Sequence, residues 1–183
     1  MATQYKTQGF VFKKIDRGEA DRMFSVFTKD YGRIELFAKA IRKMPSKLRA
    51  GIDSFYFSEV EFIQGKTYKT LTDAKAVQKV TVESPRTFLF LQKISKVLDH
   101  GLKGSEQEGL VFSLIEDVIE KSKQETGKLA LLYSYFVWNF FASQGRSPDL
   151  LQCVVCKQKL EPSNLFFSYR EGSVVHRHCA KAD

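Results

Sequence analysis

The chain has 183 residues, of which 43% are hydrophobic, and it carries a formal net charge of +8. This is enough apolar material for one large or two small domains, whereas no apolar run approaches the roughly 18 residues of a membrane span and no apolar signal segment begins the chain. The first eighty residues hold 16 lysines and arginines against 9 acidic residues, a surplus of +7, so a basic face that attracts polyanions is expected there.

Residues 1–80 are predicted to form five short β-strands. Runs rich in β-formers or in alternating apolar and polar residues predict strands at Gln8–Ile15, Arg22–Lys29, Ile34–Ala38, Phe55–Ile63 and Tyr68–Val77. Turn residues such as Gln64-Gly65-Lys66 separate them. Five short strands of this kind indicate a small barrel of the oligonucleotide-binding (OB) type, which binds single strands across one face with basic and aromatic side chains.

A polar insert, Lys39–Gly51, between the third and fourth predicted strands concentrates positive charge. It contains Lys39, Arg42, Lys43, Lys47 and Arg49. No carboxylate occurs between Glu35 and Asp53. The pattern is typical of a phosphate clamp, since lysine and arginine supply charge and donors, and the alternative is a solvated loop with no ligand. Candidate residues for base stacking beside it are Tyr31, Phe37, Tyr56 and Tyr68.

Three helices are predicted after residue 80. Ser84-Pro85 is typical of a helix start, and Phe88–Leu98 has helical apolar spacing. A capping box at Ser105–Glu108 is expected to open the second helix, whose apolar stripe is Leu110, Leu114, Ile115, Val118 and Ile119. The third helix, Lys128–Ser143, is apolar nearly all round, so we expect it to be the buried centre of the helical part.

The last part of the chain carries a metal-binding pattern. Cys153-x-x-Cys156 is followed by His176-x-x-Cys179, and a strand–turn–strand between the pairs would bring them together. Thiolates and an imidazole suit zinc, and four protein ligands leave no open position for water, so a structural ion is predicted. His178 is the competing fourth ligand, and isolated thiols or a disulfide with a spare cysteine are the alternative to a metal site. Cysteines in this spacing favour a reducing cytoplasm.

Several of these segments together resemble the RecO family of bacterial DNA repair proteins. They are Gly18–Arg22, Phe27–Arg33, Ala38–Lys43 and Ser46–Arg49. The resemblance implies an α+β protein with an OB barrel at residues 1–80, a helical domain at 81–150 and a zinc module at 151–183. His176 stands where relatives usually have a third cysteine. The chain ends four residues after Cys179, so the family's last helices are expected to be missing.

The same resemblance implies a recombination mediator and no catalysis. Such a protein binds single- and double-stranded DNA, anneals complementary strands, and with RecR helps to load RecA onto strands coated by the single-strand DNA-binding protein, in the cytoplasm at the nucleoid. The expected DNA contacts are Lys13, Lys14, Arg33, Lys39, Arg42, Lys43, Lys47 and Arg49.

The residues themselves leave other functions open. No phosphate-cradling loop, dinucleotide fingerprint or nucleophile elbow occurs. A zinc-stapled barrel that binds single-stranded RNA is one alternative, because stacking and phosphate contacts serve both nucleic acids. A metal-dependent nuclease built on Glu116, Asp117 and Glu120 is a second.

Overall fold

The computed structural model describes residues 3–43, 46–102, 109–124, 126–162 and 165–180. The chain divides into two compact units, Met1–Val137 and Trp138–Asp183. Among the described residues, no helix combines the length and the apolar composition needed to cross a bilayer.

The first unit begins with a closed five-stranded barrel. Its strands are β1 (Gln4–Arg17), β2 (Asp21–Thr28), β3 (Gly32–Ala38), β4 (Tyr56–Gln64) and β5 (Lys69–Lys79). They are hydrogen-bonded in the order β1-β2-β3-β5-β4, and β4 closes onto β1. The β3–β5 pair is parallel and all other pairs are antiparallel. This is the OB arrangement, so the predicted fold class is confirmed.

Alternation along the strands places the barrel core. On β3, every second residue from Gly32 to Ala38 is buried and the residues between them are half exposed. The buried side chains of the barrel include Val11, Phe24, Val26, Ile34, Leu36, Val60, Phe62 and Leu71. A one-residue register shift between Val11 and Lys13 bends β1, which helps the sheet to close.

Three helices follow the barrel, as predicted. They are α1 (Pro85–Gly101), α2 (Gly109–Gln124) and α3 (Leu129–Ser143). Ser84 caps α1, since its side chain accepts a hydrogen bond from the Thr87 backbone N–H at 3.1 Å. The predicted capping box at 105–108 lies outside the described residues. Phe112 of α2 packs its ring against Phe27 of β2 and Phe57 of β4, which places this helix on the barrel.

The expectation that α3 is the buried centre of the helical part was wrong, because one side of it is exposed. Leu132, Phe136 and Phe140 are buried, whereas Leu131, Tyr135 and Trp138 are 67%, 42% and 40% exposed. The buried residues recur every four positions and therefore share one helix face. Apolar composition alone therefore does not decide which side chains of a helix are buried.

Leu110 also departs from the expected pattern, because it is 76% exposed although it was assigned to the apolar stripe of α2. It lies in the first turn of that helix. The next two residues, Val111 and Phe112, supply buried side chains in its place.

The second unit contains a small hairpin. Strand β6 (Leu165–Ser168) pairs antiparallel with β7 (Ser173–His176), which confirms the predicted strand–turn–strand. The turn needs a left-handed residue, and Gly172 supplies it with φ of 60°. The hairpin packs on a small apolar cluster, whose buried members are Cys153, Leu160, Val174 and Val175.

Candidate nucleic-acid interface and metal centre

The basic segment, which we define as residues 39–49, is anchored to the barrel at both ends. Ala40 donates its backbone N–H to Asp21 Oδ1 at 2.7 Å, and Arg42 donates its own to the Ala20 carbonyl at 2.9 Å. Ile41 is buried in the barrel core, as is Ile52 just beyond the segment. These contacts fix the backbone where the segment leaves β3 and where it approaches β4.

The cationic side chains of this segment point outward. Lys39, Arg42, Lys43, Lys47 and Arg49 are all exposed. Arg42 lies 3.5 Å from Asp16, while the other four make no ion pair with a carboxylate in the part of the chain that the structure describes. Their donors are therefore free to meet phosphate oxygens, and binding a polyanion there would release counterions.

Three further predicted contact residues are tied into the protein. Lys13 Nζ lies 2.6 Å from Asp99 Oδ2, and Lys14 forms an ion pair with Asp53. Arg33 donates to Asp99 Oδ1 at 2.9 Å and to the Asp99 carbonyl at 2.6 Å. The bonds to Asp99 join β1 and β3 to the last turn of α1. Direct DNA contacts by Lys13, Lys14 and Arg33 remain a prediction.

Asp99 is the centre of this ion-pair group. Burial raises the pKa of its carboxyl, but hydrogen bonds from Lys13 and Arg33 outweigh burial, so that the net pKa lies below its usual value. Sequence reasoning missed this residue, because 86 and 66 positions separate it from Lys13 and Arg33. Asp21, which orients the start of the basic segment, was missed for the same kind of reason.

The four candidate stacking residues lie in different surroundings. Tyr31 is partly buried and packs edge-on against Tyr5 and Phe62 at the barrel core. The Tyr56 ring lies under Lys79 Nζ, which is 5.4 Å from the ring centroid. Phe37 and Tyr68 are stacked on each other with centroids 5.7 Å apart and an interplanar angle of 27°.

The predicted metal ligands come together in the second unit. One ligand atom from each of Cys153, Cys156, His176 and Cys179 lies within 4.8 Å of all the others. Sulfur atoms of a tetrahedral zinc site are about 3.8 Å apart when each bond is about 2.3 Å, so the spacing fits a single ion. The cluster can hold one metal ion, and a disulfide is not formed.

Hydrogen bonds around His176 orient it for ligation. Its Nε2 lies 3.2 Å from the Lys159 carbonyl, and its Nδ1 lies 3.4 Å from Cys156 Sγ. A proton on Nε2 donated to that carbonyl leaves the Nδ1 lone pair facing the cysteines. His178 is outside the four-residue cluster and stacks on the His176 ring, with centroids 5.1 Å apart.

The pKa values of two thiols in the cluster show how a bound cation would affect their ionisation. Burial raises the pKa of Cys153, but N–H groups of Cys156, His176 and Val155 directed at its sulfur lower the pKa to about 6. Burial together with the neighbouring sulfurs raises the pKa of Cys179 to about 11. A negative charge on one sulfur thus makes ionisation of the next thiol less favourable, and a bound dication would offset that repulsion.

The acidic residues of α2 are paired with lysines. Asp117 Oδ2 lies 2.7 Å from Lys121 Nζ and Glu120 Oε2 lies 2.6 Å from Lys123 Nζ. Glu116 lies 3.6 Å from Lys29. All three carboxylates are matched by surface cations, which is the usual arrangement on a solvated helix face.

Comparison with known proteins identifies relatives along the whole chain. A family model described as "Recombination protein O N terminal" matches residues 1–80, and one described as "Recombination protein O C terminal" matches residues 82–183. A curated relative from Dehalococcoides mccartyi strain 195, named "DNA repair protein RecO", is 31% identical over 179 residues, which is 96% of this chain and 70% of the relative. The proteins of that name from Halalkalibacterium halodurans and Alkaliphilus metalliredigens are 28% and 26% identical, over 98% and 97% of this chain and 70% and 73% of their own lengths.

Proposed function

Because this chain belongs to the RecO family of DNA repair proteins, we propose that it is a DNA-binding recombination mediator. In this proposal it binds single- and double-stranded DNA and anneals complementary strands. With RecR it helps RecA to replace the single-strand DNA-binding protein on a coated strand. The proposed division of labour follows the chain: the barrel of residues 1–80 binds DNA, residues 81–150 form a helical domain, and 151–183 form a metal-stapled module.

The observation that carries this proposal is the group of exposed cationic side chains on the basic segment. Lys39, Lys43, Lys47 and Arg49 have no carboxylate partner among the described residues. They project from a segment that the barrel holds at both ends. A surface of this kind neutralises phosphates without recognising a base sequence, as annealing of arbitrary complementary strands requires.

Annealing also requires two phosphate backbones to approach each other. Cations between them lower the electrostatic repulsion, and salt-dependent binding lets the product leave. No covalent step and no nucleotide is needed. The chain's proposed contribution is to hold and release strands while base pairing supplies the driving force.

We assign zinc to the cluster of Cys153, Cys156, His176 and Cys179 in this proposal. Three thiolates and one imidazole form a donor set that suits zinc. Zinc bound there would supply folding energy to the hairpin, which packs on a small apolar cluster. With four protein ligands, no coordination position is left for a reacting water.

A strand-annealing assay tests the proposal. Two complementary oligonucleotides are mixed with the protein, with and without ATP, and duplex formation is followed by fluorescence. We expect acceleration that does not depend on ATP and that is lost in a Lys43→Glu/Lys47→Glu variant. Acceleration that requires ATP hydrolysis, or none with either protein, would contradict the mediator assignment.

The same preparation separates the two rival functions. Unlabelled RNA and single-stranded DNA of equal length compete for a labelled DNA strand, and a clear preference for RNA would favour the RNA-binding alternative. Cleavage of DNA in the presence of magnesium that is abolished by Glu116→Ala or Asp117→Ala would favour a nuclease.

A further inference from the structure

The stacked pair Phe37 and Tyr68 lies where two neighbouring parts of the barrel meet. Phe37 is on β3, and Tyr68 ends the turn between β4 and β5. The parallel pairing of β3 with β5 sets Phe37 opposite Thr70, two residues after Tyr68. The turn is held by a hydrogen bond from the Gly65 N–H to the Tyr68 carbonyl at 3.0 Å. The two rings are thus brought together by the closure of the barrel itself.

The outer ring of this pair is open to solvent. Tyr68 is 52% exposed, whereas Phe37 beneath it is half buried. The Tyr68 ring packs on the Phe37 ring in an offset stack, and about half of the Tyr68 surface remains open to solvent. An aromatic side chain that packs against a second ring has already lost part of its rotational freedom, so a base that stacks on it causes little further loss of side-chain entropy.

Two exposed cations are close to this pair in the chain. Lys39 follows Phe37 by two positions at the start of the basic segment, and Lys66 is in the same turn as Tyr68. Both are exposed, and neither forms an ion pair with a carboxylate within the described ranges. An exposed aromatic ring with unpaired cations on the same two chain segments matches the chemistry of a single strand, which presents a free base face next to a phosphate.

We propose that Phe37 and Tyr68 form a stacking platform for one unpaired base of single-stranded nucleic acid, in continuity with the basic segment. The proposal rests on the proposed function, because it assumes that the strand follows the cations of residues 39–49. It adds a preference for unpaired bases. In a duplex both faces of each internal base are already stacked on neighbours, so a duplex keeps the phosphate contacts but loses this one.

Stacking on this platform makes the affinity for a single strand higher than the affinity for the annealed duplex. A base held on Tyr68 must leave the ring in order to pair, and once the duplex forms the protein retains only its salt-sensitive phosphate contacts. The reactant strand is therefore bound more tightly than the product, which favours release of the duplex.

The test uses two strands of the same length and charge, one with normal bases and one with stable abasic residues. Binding of each is measured by fluorescence anisotropy for the wild type, for Tyr68→Ala and Tyr68→Phe, and for a control, Tyr169→Ala, at an exposed tyrosine outside the barrel. We expect Tyr68→Ala to weaken binding of the base-bearing strand about 5- to 150-fold, the range that loss of one base–aromatic stack gives. Its binding of the abasic strand should not change, Tyr68→Phe should bind as the wild type does, and Tyr169→Ala should have little effect.

Two results would overturn the platform. One is a Tyr68→Ala variant that binds the base-bearing strand as tightly as the wild type. The other is an equal loss for both strands, which would mean that Tyr68 only supports the shape of the basic segment. A wild type that binds neither strand would instead refute the proposed function itself, so the two failures are distinguishable.

Discussion

Replacing Asp99 by asparagine removes the negative charge that joins the barrel to α1. Its two oxygens accept from Lys13 Nζ at 2.6 Å and from Arg33 Nη2 at 2.9 Å. The asparagine has nearly the same volume, but its amide nitrogen cannot accept a hydrogen bond. At least one of the two bonds is therefore lost, and two neighbouring cations lose their counter-charge.

The size of the effect follows from these contacts. A hydrogen bond to a charged group contributes about 1.5–3 kcal/mol when it is well buried. The side chains of Lys13, Arg33 and Asp99 are 39%, 21% and 23% exposed, so solvent screens part of that energy. We expect Asp99→Asn to lower the free energy of unfolding by about 1–2 kcal/mol, and the Tm by about 2–8 °C for a chain of this length.

Thermal unfolding followed by far-ultraviolet circular dichroism measures this loss. Fluorescence is unsuitable because the single tryptophan, Trp138, belongs to the second unit. The matched control is Asp117→Asn, which removes an exposed pair with Lys121 along α2 and should cost under about 0.5 kcal/mol. Equal Tm values for Asp99→Asn and Asp117→Asn would refute the reasoning.

The pH dependence of this effect has a definite sign. The pKa of Asp99 is lower in the folded state than in the unfolded state, so its contribution is present at neutral pH and is lost as the pH falls through the folded-state pKa. The difference between wild type and Asp99→Asn should be constant from about pH 8 to pH 5 and should shrink below about pH 4. A difference that grows on acidification would contradict this account.

Two further substitutions test other parts of the structure. Cys156→Ser should abolish stoichiometric zinc binding, measured by elemental analysis, and should expose residues 150–180 to proteolysis. His176→Ala should lower the zinc content more than His178→Ala does. Stoichiometric metal retained by a Cys153→Ser/Cys156→Ser variant would disprove the site. Gly51→Ala places a Cβ 1.8 Å from the Ala74 carbonyl oxygen, which should lower stability by about 1–3 kcal/mol or more, whereas Gly109→Ala, with open space around it, should be nearly neutral by the same melting measurement.

The strands and the metal-binding cluster were predicted mainly from the alternation of apolar residues and from the spacing of the cysteines. The strand from Phe55 to Ile63 was placed within one residue at each end, because every second side chain enters the barrel core. The Ser84-Pro85 helix start was confirmed, because an N-cap is a local interaction. The two x2-spaced pairs brought the four metal-ligand candidates together, because a hairpin of predictable length connects them.

Contacts between distant residues were not predictable in this way. Nothing near Lys13 or Arg33 in the sequence indicates that Asp99 pairs with both. The exposed face of α3 was missed because an apolar sequence indicates which side chains prefer burial, but not how much of each side chain the folded protein covers. Among four aromatic candidates, only the folded barrel distinguishes the Phe37–Tyr68 stack, in which Tyr68 is exposed, from the partly buried Tyr31.

The central claim, that the basic segment contacts phosphates, is tested most directly by the salt dependence of single-strand binding. Anisotropy titrations over a range of salt concentrations give the slope of log K against log salt for the wild type and for Lys43→Glu/Lys47→Glu. Each phosphate contact on a single strand contributes about −0.7 to the slope, so loss of two contacts should flatten it by about 1.4 and weaken binding at every salt concentration. An unchanged slope and an unchanged affinity would contradict the account and leave the segment as a solvated loop.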